Sequence, residues 1–468
     1  MQIPFVGPAY SGVSPNIDAQ RCVNLYPEID RFGGKTVTAL VGTPGLELFA
    51  ALPAPARGLY PMGGALYAVA GQEFYSIAPS GAITAIGSLL TSSGRVSMSD
   101  NGVQLMVSDG IAGYIFDAAA NQFSQITSPG FSGAASADFI DGYFAVNTPG
   151  TSSFQVSSPY DGTGWDALDT AAAEGAPDGL VAVVNNHREL WLLGRTTTEI
   201  WYSSGAGNPP FSRMNGPFIE TGLAARWSLA MCNGTLFYLA RNRAGKGFVV
   251  RADGYSPRAV STPAIEYTFS QYPDISDAFA YAYSEAGHDF YVITFPSGNA
   301  TWAYDDATGL WHERQSYGIG RHRADSYAFF NGSHIVGDFS NGNLYRMRSG
   351  AYTDNGDPIR RIRAARHVWN GLKNVFISRL QIDMETGVGD GSAGQGASPQ
   401  AMLSWSDDGG HTWGSERWTG MGGAGQYRAR AVWRRLGRAR DRVFRVTITD
   451  PVKVVIIGAE MEAVAGRH

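Results

Sequence analysis

The chain has 468 residues, enough for two to four ordinary domains or one large repeat fold. Aromatic residues make up 12% and charged residues only 16%, which describes a rigid protein with sparse surface charge, suited to a subunit covered by neighbours; the 59 glycines follow no period of three, which excludes a collagen-like chain. The net charge of −5 hides a split, because residues 1–356 carry 19 Lys+Arg against 30 Asp+Glu and residues 357–468 carry 17 against 11.

The first thirty residues fit no regular element. Pro4, Pro8, Pro15 and Pro27 break any helix, and Gly7 and Gly12 break any long strand. Yet Ile3, Phe5, Val6, Tyr10, Ile17, Val23, Leu25 and Tyr26 are anchors that want burial. The segment is expected to be an extended arm held in pockets, on its own chain or on a neighbour, and to act in assembly. Removing residues 2–30 should then leave a folded β protein. Pro4, Phe5, Tyr10 and Tyr26 are its candidate interface residues.

From about residue 56 one pattern recurs to residue 356: apolar strand, turn with Gly or Asn, second strand, aromatic-rich third strand. Ala65-Leu66-Tyr67-Ala68-Val69-Ala70 with Glu73-Phe74-Tyr75-Ser76-Ile77 is one copy, and Phe290-Tyr291-Val292-Ile293-Thr294 with Thr301-Trp302-Ala303-Tyr304 is another. Asn101-Gly102, Asp141-Gly142, Asn233-Gly234, Asn331-Gly332 and Asn341-Gly342 supply the positive φ of tight hairpins. The units recur every forty to fifty residues, roughly one four-stranded propeller blade each. An all-β propeller of six or seven blades over 56–356 is therefore expected, with an array of β-sandwiches as the alternative. Residues 1–55 form the arm and first strands. Residues 357–468 form a smaller, basic C-terminal β region, either a separate domain or the last blades with an insertion. Its strands are expected near 376–382, 401–405, 426–434, 442–449 and 452–458, with a glycine-rich surface loop at 387–396.

Arg428, Arg430, Arg434, Arg435, Arg438, Arg440, Arg442 and Arg445 lie within eighteen residues, with Asp441 the only acid among them. Arg428 and Arg430 should share one face of a strand. The first six are candidate interface residues. Such a patch can be a solvated face, can hold a partner's carboxylates, or can touch DNA phosphates in passing. Ser406-Asp407-Asp408-Gly409-Gly410-His411-Thr412-Trp413 matches the S-x-D-x-G-x-T-W pattern of an Asp-box. Ser406, Asp408, Gly410 and Trp413 are expected to build a hairpin turn away from any chemistry. None of the eight histidines has metal-ligand spacing. Cys22 and Cys232 stand far apart and imply no disulfide framework. The opening MQIPFVGPAY has neither a basic nor an apolar signal region, and the longest apolar run, residues 454–459, is too short to span a bilayer. No cofactor, metal site or stable membrane association is expected, and synthesis is expected in a reducing cytoplasm.

Four short stretches, in order, resemble the opening of the packaged-DNA stabilisation proteins of short-tailed phages. They are Ile3-Pro4-Phe5-Val6-Gly7, Ser14-Pro15-Asn16-Ile17-Asp18-Ala19-Gln20, Asn24-Leu25-Tyr26-Pro27-Glu28 and Gly42-Thr43-Pro44-Gly45-Leu46. The resemblance covers about the first fifty residues and implies a tail hub, or nozzle, subunit of the virion, made in the host cytoplasm. It implies a homohexameric ring below the portal and its adaptor. That ring would continue the DNA channel, retain packaged DNA, and join the tail needle and tailspikes or fibres without catalysis. The rival reading is a sialidase-like propeller glycoside hydrolase or a glycan-binding protein, motivated by the Asp-box and the abundant Trp.

Overall fold

The repeats in the middle of the chain close into a ring. The computed structural model describes residues 2–10, 12–32, 34–176, 178–371, 373–391 and 394–466. Ser392 and Ala393 of the glycine-rich loop, and His468, lie outside the described residues. Seven antiparallel blades follow one another, beginning with Ala56–Met62, Ala65–Ala70, Glu73–Ile77 and Ile83–Ser88. Blades two to five start at Ser97, Ala137, Leu180 and Gly222. Blade six is Phe279–Glu285, His288–Phe295, Ala300–Asp305 and Leu310–Arg314. The second strands, such as Ala65–Ala70, Glu189–Gly194 and His288–Phe295, are buried on both faces because each blade lies between two others. That is why they read as continuous apolar runs rather than as alternating strands. The described residues hold one α-helix, Pro263–Ser270, whose first turn is capped by Thr262.

Blade seven completes the circle. Ala324–Phe330, Ser333–Asp338 and Asn343–Arg348 take their outer strand from the N-terminal side, Gly45–Ala51, paired from Arg348↔Gly45 to Asn343↔Ala51. Closure of the ring removes the free flank that an open stack of blades would leave. Two glycines permit the close approach: a Cβ on Gly45 would meet Thr353 O at 2.5 Å, and one on Gly342 would meet Leu52 O at 1.8 Å. Asn341-Gly342 is thus a packing position and not a positive-φ turn, and in Asn101-Gly102 only the glycine has positive φ. Asp141-Gly142, Asn233-Gly234 and Asn331-Gly332 do have positive φ at both residues. His187-Arg188 adopts the same conformation without glycine. Apolar clusters fill the wedges between successive blades.

The C-terminal region is a β-sandwich, and the arm is part of it. One sheet runs Leu25–Ile29, Thr38–Gly42, Val455–Ala465, Val375–Met384, Ala431–Ala439, with Gln2–Ile3 also pairing to Val455–Ala465. The other runs Arg21–Val23, Arg361–Ala364, Asp441–Ile448, Gln400–Ser406, Arg417–Gly420. It continues blade six through a parallel pairing of Val23 with Glu313. One core therefore extends from the wedge between blades five and six (Phe237, Tyr291, Trp302, Trp311) through Phe5, Cys22 and Leu25 into Leu380, Leu403 and Phe444 of the sandwich.

Candidate functional site

The arm is held by backbone recognition as well as by its anchors. Phe5 is 1% exposed and Tyr26 is buried against Phe290 and His288, so both pockets are on the arm's own chain. Pro4 is exposed and Tyr10 half-buried. Arg363, fully buried, donates to Phe5 O at 2.6 Å, Pro8 O at 2.9 Å, Arg21 O at 3.4 Å and Gln20 Oε1 at 2.5 Å. Burial lowers its pKa to about 10. Asn24, at positive φ, donates to Gln315 O (2.9 Å) and Arg360 O (3.0 Å) and accepts from Gln315 N (3.0 Å), tying arm, propeller and sandwich together. His288 bridges Asp305 (2.8 Å) and Glu28 of the arm (2.7 Å). The hydrogen bond to Asp305 raises its pKa to about 9, against the opposing effect of burial. Burial pushes both the Cys22 and Cys232 thiols up to about 12, so they are inert apolar groups here.

The six candidate arginines of the cluster are all exposed. Arg434, Arg435 and Arg438 project from Ala431–Ala439, the edge strand of its sheet. Strict alternation would send Arg434 and Arg435 to opposite faces. A bulge opposite Ser378, with Arg435 at φ 57°, turns both outward. Arg428 and Arg430 are not on a strand as the sequence suggested. They follow a glycine-permitted turn, with Gly422 and Gly425 at positive φ, and the strand begins only at Ala431. Among the described residues the six side chains make no hydrogen bond or ion pair. Arg442 differs: it is buried, forks onto Asp407 (2.6 and 2.7 Å) and donates to Leu436 O. Arg445 lies over the Trp413 ring at 4.0 Å. These two belong to the scaffold.

The Asp-box is the hairpin leaving Gln400–Ser406. Asp408 accepts from Ser406 Oγ (2.6 Å), Thr412 N (2.9 Å) and Thr412 Oγ1 (2.5 Å), which holds its carboxyl well below the usual range. Gly410 N donates to Ser406 Oγ, and Trp413 Nε1 to Gly410 O. The Ser406 and Asp408 side chains are engaged in the turn, Asp407 turns outward to Arg442, and the turn lies on the sandwich, not in the propeller. The propeller axis holds a cavity of about 370 Å³ lined in part by Arg57, Arg95, Asp138, Arg226 and Asp325. These charges stitch the inner strands: Arg95 pairs with Asp325 at 2.8 Å, and Arg226 donates to Val181 O and Ala135 O. Among the described residues no three His, Cys, Asp or Glu side chains gather as metal ligands. No helix there is long and apolar enough to cross a membrane.

Arg363, Asn24 and Arg442 carry the architecture, but the sequence assigned none of them that role. Asn24 sits inside one of the four family-like stretches, and Arg442 was read only as a member of the arginine run. Arg363 has no local signature, because its acceptors come from a segment far away in the chain.

The chain is a closed propeller that shares one core with a β-sandwich and carries an arginine edge without partners among the described residues. Residues 1–352 match the family model described as bacteriophage P22 Gp10, beta-propeller, and residues 360–464 match bacteriophage P22 Gp10, beta-sandwich. The chain belongs to this family of phage packaged-DNA stabilisation proteins and is a phage structural protein. No curated protein matches the sequence directly. Among solved structures it is similar to the N-terminal domain of Nup159 (12% identity, 70% of this chain and 98% of that one, TM-score 0.40). It is also similar to the WD40 propeller domain of Doa1 (13%, 65% and 96%, 0.39) and to YCF48 bound to D1 peptide (12%, 66% and 99%, 0.42).

Proposed function

We propose that the protein is a tail hub subunit of the virion. It assembles as a ring, a hexamer by family resemblance, beneath the portal adaptor, extends the DNA channel, helps retain packaged DNA, and seats the tail needle and the tailspikes or fibres. It performs no catalysis in this role. The observation that carries the reading is the pairing of the two family matches with a cluster of six exposed arginines that have no partner among the described residues. An edge strand that carries such arginines presents forked donors at fixed positions, which suit protein carboxylates better than they suit DNA that must slide past. The arm, with Phe5 and Tyr26 committed to its own core, contributes its exposed Pro4 and half-buried Tyr10 to contacts.

The test is Arg434→Glu with Arg435→Glu in an assembling phage. The variant should stay folded and fail to complete tails, since each desolvated charged pair broken at an interface costs about 2–5 kcal/mol. Particles that assemble but leak genome in a salt-dependent way would assign the patch to DNA. Stable, infectious particles would leave it a solvated face and remove the basis of the reading. The Asp-box that helped to motivate the glycan-directed alternative is a hairpin turn of the sandwich.

A further inference from the structure

The basic edge has a counterpart on the far side of the same molecule. From residue 96 to residue 187 there is no Lys or Arg, against ten Asp and Glu. That stretch comprises blades two and three. The sandwich is continuous with blade six, and blades two and three stand three blades away from it in either direction round the ring, so the chain is basic at one end and acidic at the other.

The acidic end has a defined edge. The outer strand of blade three, Asp161–Ala172, is twelve residues long and pairs on one side only. Asp166 and Glu174 are exposed and Asp169 is half-exposed; among the described residues none of the three forms an ion pair. Partial burial, and then the Asp166 charge, hold the Asp169 carboxyl above the ordinary carboxylate range, as expected of acids left without a cation. Between them Leu168 is 70% exposed. The basic edge mirrors this pattern. Arg438 lines a shallow hollow with Phe376, Ile377, Gly437 and Val464, with Val464 itself 70% exposed, and Arg434 and Arg435 lie further along the same strand. Acid, apolar and acid side chains follow one another on the acidic edge, and the basic edge sets Arg438 beside an apolar hollow formed with the next two strands of its sheet; among the described residues neither side has an ion-pair partner.

We propose that the Ala431–Ala439 edge of one copy docks on the Asp161–Ala172 edge of the next, with Leu168 entering the Phe376–Val464 hollow beside Arg438 and the acids facing Arg434 and Arg438. The contact is heterologous, so it propagates head to tail and closes into a ring when the rotation per copy divides the circle. This rests on the hub reading and names the surfaces that build the ring.

The experiment traps the contact in assembled tails. Leu168→Cys and Val464→Cys are made in separate full-length chains and mixed during assembly. The native Cys22 and Cys232 are buried and do not compete. Oxidation should give a disulfide-linked dimer only from the mixture, and a ladder beyond the dimer when one chain carries both substitutions. In a second arm, Asp166→Arg with Asp169→Arg, or Arg434→Asp with Arg438→Asp, should each abolish ring formation, and mixing the two charge-swapped chains should restore paired copies. Tails that contain the protein but show no 168–464 link, or equal dimer yields from either single-cysteine chain alone, overturn the inference and leave the hub reading standing. A chain that never enters tails defeats both.

Discussion

Replacing Arg363 with Met should free the N-terminal arm. Met keeps much of the side-chain length and removes the guanidinium. Three backbone carbonyls, those of Phe5, Pro8 and Arg21, and the Gln20 amide oxygen then lose their donor. At about 1–3 kcal/mol for each buried acceptor left unpaired, the four sum to about 4–12 kcal/mol. Removing a buried cation returns part of this, because its desolvation costs several kcal/mol. A net loss of about 3–5 kcal/mol is expected, in line with breaking other buried charged networks. Urea titration followed by tryptophan fluorescence reads the stability, and limited proteolysis mapped by mass spectrometry reads where the chain opens. New cleavage should concentrate within residues 2–20. A loss below about 1 kcal/mol with an uncut arm would refute the reasoning.

Gly342→Ala should strain the seam of the ring where Leu52 O approaches, costing about 1–3 kcal/mol as other overpacked sites do, and should speed cleavage between residues 45 and 55. Two histidines tilt the stability curve in opposite directions. His288 is raised to about 9, so its contribution is complete below about 6.5 and is lost as pH rises through 9; His288→Gln should flatten the alkaline side of a plot of Tm against pH. His312, buried neutral, is lowered to about 3, mainly by burial, so its contribution is present above about 6.5 and is lost as pH falls towards 3; His312→Phe should flatten the acid side. Deleting residues 2–30 should disorder the sandwich, measured as lost amide protection in Val375–Met384 and Val455–Ala465, because Phe5, Cys22, Val23 and Leu25 are core residues. The burial of these side chains argues against the expectation that the chain folds without residues 2–30.

The propeller was readable because its physics is local. Hairpin turns, paired apolar strands and a blade-length period all lie within forty or fifty residues, and the family-like stretches near the N-terminus named the right class. What could not be read was pairing across hundreds of residues. Nothing local tells that Arg21–Val23 fits between blade six and Arg361–Ala364, or that Gly45–Ala51 belongs to the last blade. Nor does local text separate the committed arginines from the open ones. Arg442 and Arg440 are two residues apart, yet one is buried on Asp407 and the other exposed, and only the fold decides which. The Arg434–Arg435 pair failed the alternation rule because a bulge consumed one residue of register.

The pairing of Gln2–Ile3 with Glu460 and Ala459 joins segments more than 450 residues apart in one ladder. On a ribosome the earlier segment therefore waits for the later one. At about 5–20 residues per second the delay is roughly 20–90 s. Tyr26 can find Phe290 and His288 once blade six has emerged, but Phe5 and Leu25 lack the sandwich side of their core until the end. A chain cut short before residue 455 never acquires the strand that receives its own beginning, and should be marked for capture by chaperones or proteases by an exposed, aromatic N-terminus. The fold thus ties the burial of Gln2–Ile3 to synthesis through residue 465, so that copies truncated before it should be withheld from assembly. Ribosome-stalled chains of increasing length should show the N-terminus becoming protease-resistant in a single late step, once residues 455–465 have cleared the exit tunnel.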